Sequence, residues 1–124
     1  MVFPKALEKI RIFAFFKTGL ESFKPPISLG EVAQGAFAEC KSLKSVKLNE
    51  GLETLGTDEY ADNGGTWYGV FEESSVEHTK LSSTLKRIEY GAFKDCKNLK
   101  SITLPDSLEY IGKECFLRSG LQTI

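Results

Sequence analysis

The chain carries no excess charge of either sign. Sixteen basic residues face seventeen acidic ones, a formal charge of −1, so no overall field draws it to nucleic acid or to an anionic membrane, and only a local patch could. A long apolar run is also missing. The longest near the start, Ile12 to Phe16 between Arg11 and Lys17, is too short to span a bilayer and lacks the order of a signal peptide. His78 is the only histidine, and neither CxxC nor HExxH occurs, which removes the common metal and redox motifs. Cysteine is scarce and badly placed for bridging. Cys40 and Cys96 follow Phe37 and Phe93 in matching positions, but a unit holding Phe71 lies between them. Two rungs then separate their Cα atoms by about 10 Å, beyond disulfide reach. Cys115 falls where Ala14, Ala36 and Ala92 fall elsewhere. All three read as small buried thiols. No motif joins a nucleophile, a base and an orienting acid, so neither an enzyme nor a cofactor or metal is expected.

What the sequence has in abundance is repetition. ITLPDSLEYI (102–111) recurs as MVFPKALEKI (1–10), FKPPISLGEV (23–32), VKLNEGLETL (46–55) and TKLSSTLKRI (79–88). One apolar slot holds Phe3, Pro25, Leu48, Leu81 and Leu104, and the next holds Leu7, Leu29, Leu52, Leu85 and Leu108. Ile10, Val32, Leu55, Ile88 and Ile111 close the unit at spacings of 22, 23, 33 and 23. Such a period marks stacked repeats rather than a globular catalytic domain. A second string follows each closing residue and places Phe15, Phe37, Phe71, Phe93 and Phe116 in one slot, which predicts an aromatic ladder along the interior. The chain of 124 residues reads as one domain, 1–124, with an inserted loop at about 57–68. Because Met1 and Ile124 both align inside a unit, an excised or truncated segment with uncapped ends is expected, prone to self-association.

LKSITL (99–104) suits a short strand, and copies one period apart would pair in parallel. Pro4, Pro26 and Pro105 fall where that strand must end. The Gly- and Ala-containing stretch before each Phe suits a turn with a short helical or 3₁₀ segment.

The string LKSITLPDSLEYIGKECF (99–116) resembles the BspA-type leucine-rich-repeat family, and the likeness runs through all five copies. It implies an α/β solenoid of about five repeats, with short parallel strands on one face and turns and short helical or 3₁₀ segments elsewhere. It also implies a surface or secreted protein that binds other macromolecules. Departures from the pattern are the insertion in the third unit and the loss of proline at Asn49 and Ser82.

Stacking would turn outward strand residues into rows. One reads Ser22, Ser45, His78, Ser101, Thr123; its neighbour reads Val2, Lys24, Lys47, Lys80, Thr103. A third, Glu21, Lys44, Glu77, Lys100, Gln122, alternates in sign and predicts lateral ion pairs. The lysine row either splays into water or forms a basic strip for an acidic protein or glycan, and His78 either binds with it or stands by. The insertion, with Tyr60, Trp67 and Tyr68, offers a second surface; its aromatics either bind a partner or sugar rings, or fold back over the coil. Asp58, Glu59, Asp62 and Asn63 lack the spacing of a calcium loop. The leading expectation is a non-catalytic module for protein binding or adhesion. The alternatives are a glycan-binding module built on the inserted aromatics and a purely structural spacer.

Overall fold

The structure is a computed structural model that describes residues 3–57, 62–63 and 66–122. Its ten strands are short: Lys9–Ile10 (β1), Ser22–Phe23 (β2), Glu31–Val32 (β3), Ser45–Lys47 (β4), Thr54–Leu55 (β5), Asp62–Asn63 (β6), Thr66–Trp67 (β7), His78–Lys80 (β8), Arg87–Ile88 (β9) and Tyr110–Ile111 (β10). They pair in parallel one copy apart. β2, β4 and β8 form one sheet, with Phe23 beside Val46 and Val46 beside Thr79. β1 pairs with β3, and β5 with β9 and β9 with β10, so the closing residues Ile10 and Val32, then Leu55, Ile88 and Ile111, lie level. Among the described residues only β6 and β7 are antiparallel, forming a hairpin within the insertion. In the last copy the expected strand over 99–104 shrinks to a bridge at Ser101.

The aromatic ladder is present. Phe15, Phe37, Phe71, Phe93 and Phe116 stack in order with ring centroids 5.2, 5.5, 5.6 and 5.7 Å apart. The three inner rings are fully buried, and Leu29, Leu52, Leu85, Val32, Leu55 and Ile88 complete the core around them.

The expected helical or 3₁₀ segments, and the α/β class with them, are not found; the described residues contain no helix. The backbone explains why. Around each Phe, alternate amides close four-residue turns, as Ala38 N to Gly35 O and Cys96 N to Phe93 O, while the intervening amides reach sideways to the next copy. Phe37 N donates to Val70 O, Phe71 N to Ala92 O and Phe93 N to Cys115 O, at 2.8–2.9 Å. A helix would need those lateral donors for itself. The residue two beyond each Phe is also left-handed: Lys17, Glu39, Glu73, Asp95 and Arg118 have φ between 53° and 59°, a conformation that no right-handed helix continues. Among the described residues no helix is long and apolar enough to cross a membrane.

The lateral ion pairs predicted for Glu21, Lys44, Glu77 and Lys100 do not form. Their backbones are in register, with Lys44 N on Glu21 O and Glu77 N on Lys44 O, but the ion pairs of the described residues fall elsewhere, as between Arg118 and Asp95 or Lys94 and Glu114. Long exposed side chains gain too little from such pairing to be held in place.

A second set of side chains joins the copies. The Leu carbonyl of one copy accepts a hydrogen bond from a polar side chain of the next: Leu7 from Ser28 Oγ (2.7 Å), Leu29 from Asn49 Nδ2 (2.9 Å), Leu52 from Ser82 Oγ and Thr84 Oγ1 (both 2.9 Å), and Leu85 from Ser107 Oγ (2.6 Å). Asn49 and Ser82, where proline is lost, are both donors in this column. The side chain that replaces proline serves the seam.

Candidate functional site: the strand face and the hairpin

β2, β4 and β8 bury Phe23 and Val46 and most of Thr79, and leave the flanking residues outward, as alternation along a strand demands. Ser22, Ser45 and His78 stand level, and Lys47 lies directly beside Lys80. Lys24 follows β2 in the same position, and Ser101 and Thr103 extend the rows into the last copy. Two confluent grooves run along this face. One, of about 440 Å³, is lined by Ser45, His78 and Ser101 together with Lys24, Lys47, Lys80 and Thr103. The other, of about 850 Å³, shares the lysines and adds Leu48, Asn49, Leu81 and Ser83. Val2, Thr123 and Tyr60 lie outside the described residues.

None of the three lysines lies within ion-pair distance of a carboxylate among the described residues, whereas Lys17, Lys86 and Lys94 all do. At one strand edge Glu50 accepts hydrogen bonds from the Ser83 hydroxyl and amide, and these bonds, with a smaller contribution from Lys80, hold its carboxyl below the ordinary value. His78 is 82% exposed and stands 3.9 Å from Glu77. It faces no enclosed cavity.

The hairpin divides its two aromatics. Tyr68 turns inward, packing edge-on against Phe13 and Phe16 and donating its hydroxyl to Glu39 Oε2 at 3.0 Å. Burial, then that hydrogen bond, raises its phenol above the usual range. Trp67 stays 47% exposed and meets Tyr90 edge-to-face at 6.1 Å. Glu72 secures the return to the coil. It is buried, and its Oε1 accepts the Gly69 amide at 3.0 Å. Gly69 itself has no room for a side chain, since a Cβ there would sit 1.9 Å from the Gly91 carbonyl oxygen.

The three thiols are buried and free. Cys40 and Cys96 donate to the Phe15 and Phe71 carbonyls at 3.0 and 3.1 Å. Burial pushes Cys96 up to about 11 and Cys115 up to about 12, so both stay protonated near neutrality.

Sequence reasoning missed a groove on the other set of strands. It is lined by Gly30, Glu31, Thr54, Gly56, Thr57, Arg87 and Glu89. The outward row that feeds it, Lys9, Glu31, Thr54, Arg87, Tyr110, follows from the same alternation that gave the lysine row. Its mixed composition gave no signal on its own.

A family model described as a BspA-type leucine-rich-repeat region matches residues 1–64 and 68–124 in six copies, one more than the five strings evident in the sequence. No curated protein matches the chain. The match spans nearly every residue, and the parallel, one-copy register of the strands agrees with it. The chain belongs to the BspA-type leucine-rich-repeat family.

Proposed function

We propose that residues 1–124 form one stacked coil that acts as a non-catalytic protein-binding module, holding an acidic segment of its partner against the strand face. The observation that carries this reading is the row of Lys24, Lys47 and Lys80, side by side in a groove and, among the described residues, without a carboxylate in ion-pair reach. Like charges on neighbouring strands oppose pairing, so the row costs the free protein some stability and gains from an anionic ligand. Ser22, Ser45, His78, Ser101 and Thr103 supply hydroxyl and imidazole groups alongside. Membership in a repeat family that is generally non-catalytic and typically surface-associated supports the module and an extracellular or cell-surface placement, with adhesion as its use.

The test uses a fluorescent peptide rich in Asp and Glu, titrated against the intact chain at low and high salt. The variant Lys24→Ala/Lys47→Ala/Lys80→Ala is expected to bind at least about tenfold more weakly and to lose most of the salt dependence. Its melting temperature should not fall, because the row is repulsive. Equal affinity and an equal salt slope for variant and parent would remove the strand face from consideration.

A further inference from the structure

The stack presents an open face at the copy that holds Phe116. Ile111 is 41% exposed, whereas Ile10, Val32, Leu55 and Ile88 in the same column are at most 3% exposed. Leu117 is exposed where Ala38 and Glu72 of inner copies are buried, and Leu108 and Phe116 are only partly covered. The backbone is open there as well. Each inner copy commits two amides to the next, as Phe93 N to Cys115 O and Asp95 N to Leu117 O. Among the described residues the equivalent amides, Phe116 N and Arg118 N, have no acceptor; Glu109 O and Ile111 O, equivalent to Lys86 O and Ile88 O, have no donor. β10 pairs with β9 alone. Such an edge is a template for a further strand.

The opposite face of the same molecule carries the other half of the joint. β1 pairs only with β3, and Ala14, whose equivalents Ala36 and Ala92 are fully buried, is exposed. Among the described residues the carbonyls of Ala14 and Phe16 accept no hydrogen bond, and the amides of Glu8 and Arg11 donate none. They hold the repeat positions of Cys115 O, Leu117 O, Glu109 N and Gly112 N, the groups that complete the joint one copy earlier. Phe15 would follow Phe116 in the ladder, and Ile10 would cover Ile111. The level charges offset: Lys5 would meet Asp106 while Glu8 meets Glu109, and Lys17 and Arg118 are each held by a carboxylate of their own molecule. We propose that these two faces bind each other between molecules, a second molecule of this chain docking its β1 on β10 so that the stack continues head to tail. The surface is separate from the lysine face and needs no acidic partner. One piece of the joint is missing: Ala6, itself exposed, stands where Ser28, Thr84 and Ser107 donate to the preceding Leu carbonyl, and it offers nothing to Leu108 O.

Sedimentation velocity of the intact chain, from about 10 μM to about 1 mM, covers the affinity of a small interface. The expected result is a weight-average coefficient that keeps rising without a plateau at the dimer, because a head-to-tail contact leaves a free face at each end. Ile111→Lys, at an exposed edge position, should weaken association by about tenfold or more. Ala6→Ser supplies the missing donor and should strengthen it by about threefold to tenfold, a gain that a folding defect cannot imitate. The triple lysine variant should associate as the parent does, with little change in high salt. A monomer at every concentration, a plateau at the dimer, loss of association in the triple lysine variant, or association that neither Ile111→Lys nor Ala6→Ser alters would overturn the proposal.

Discussion

Phe93 lies between Phe71 and Phe116 at 5.6 and 5.7 Å and is fully buried. Phe93→Ala opens a cavity bounded on both sides by rings that their own backbone bonds hold in place. It should lower unfolding free energy by about 3–5 kcal/mol in urea titrations. Thr79 is the opposite case. It occupies the inward slot that Phe23, Val46 and Ile102 fill elsewhere, and its Oγ1 is buried without a partner. Thr79→Val keeps the shape and removes the orphan, so the variant should gain about 1 kcal/mol, read in the same titration. The Phe ladder was legible in sequence because five copies vote for one slot. The Thr79 orphan was not, since a threonine in an apolar column shows its partner, or lack of one, only in three dimensions. The same holds for Trp67 and Tyr68, neighbours in sequence that the hairpin sends to different surroundings.

At the scale of the element, β2, β4 and β8 and their outward rows were readable because alternation has a period of two and the copies fix the register, whereas the second column of strands, at the closing residues, was not foreseen. Of the turn with a short helical or 3₁₀ segment expected before each Phe, the turn is found and the helical part is not. Gly and Ala before a Phe are compatible with either, and what decides is where the amides go, a property of the neighbouring copy rather than of the segment. The seam donors were missed for a related reason: Ser28, Asn49, Ser82, Thr84 and Ser107 are ordinary turn residues in isolation. Their contribution can be separated by contrast. Ser107→Ala leaves the Leu85 carbonyl without its donor and should cost about 1–2 kcal/mol, whereas Ser82→Ala leaves Thr84 on the Leu52 carbonyl and should cost about 0.5 kcal/mol or less. Equal losses in thermal melts would show that the seam hydroxyls do not set the difference.

At the scale of the whole molecule, two carboxyls tie stability to pH in opposite senses. Burial raises Glu72, so the folded chain retains that proton where the unfolded chain has released it. Its contribution is complete below the ordinary value of 4.5 and is lost as pH rises through the folded value. Hydrogen bonds from Arg118 lower Asp95, so its contribution is present above the ordinary value of 3.8 and is lost as pH falls through the folded value. Glu72→Gln should therefore flatten the decline of stability between pH 4.5 and neutrality, as measured by urea midpoints across that range, while the acid limb set by Asp95 remains. An unchanged slope would mean that the Gly69 amide and Lys94 offset the burial of Glu72 in full.

The Leu carbonyl of one copy and the side chain donor of the next form the same joint at each of the four seams described. A joint that recurs makes the fold indifferent to how many units it contains. Duplication of a gene segment encoding one period, 22 or 23 residues, would supply both halves of a new joint at once, leaving its neighbours undisturbed. A chain built on such a joint can thus gain or lose whole units without a new kind of contact at the seam.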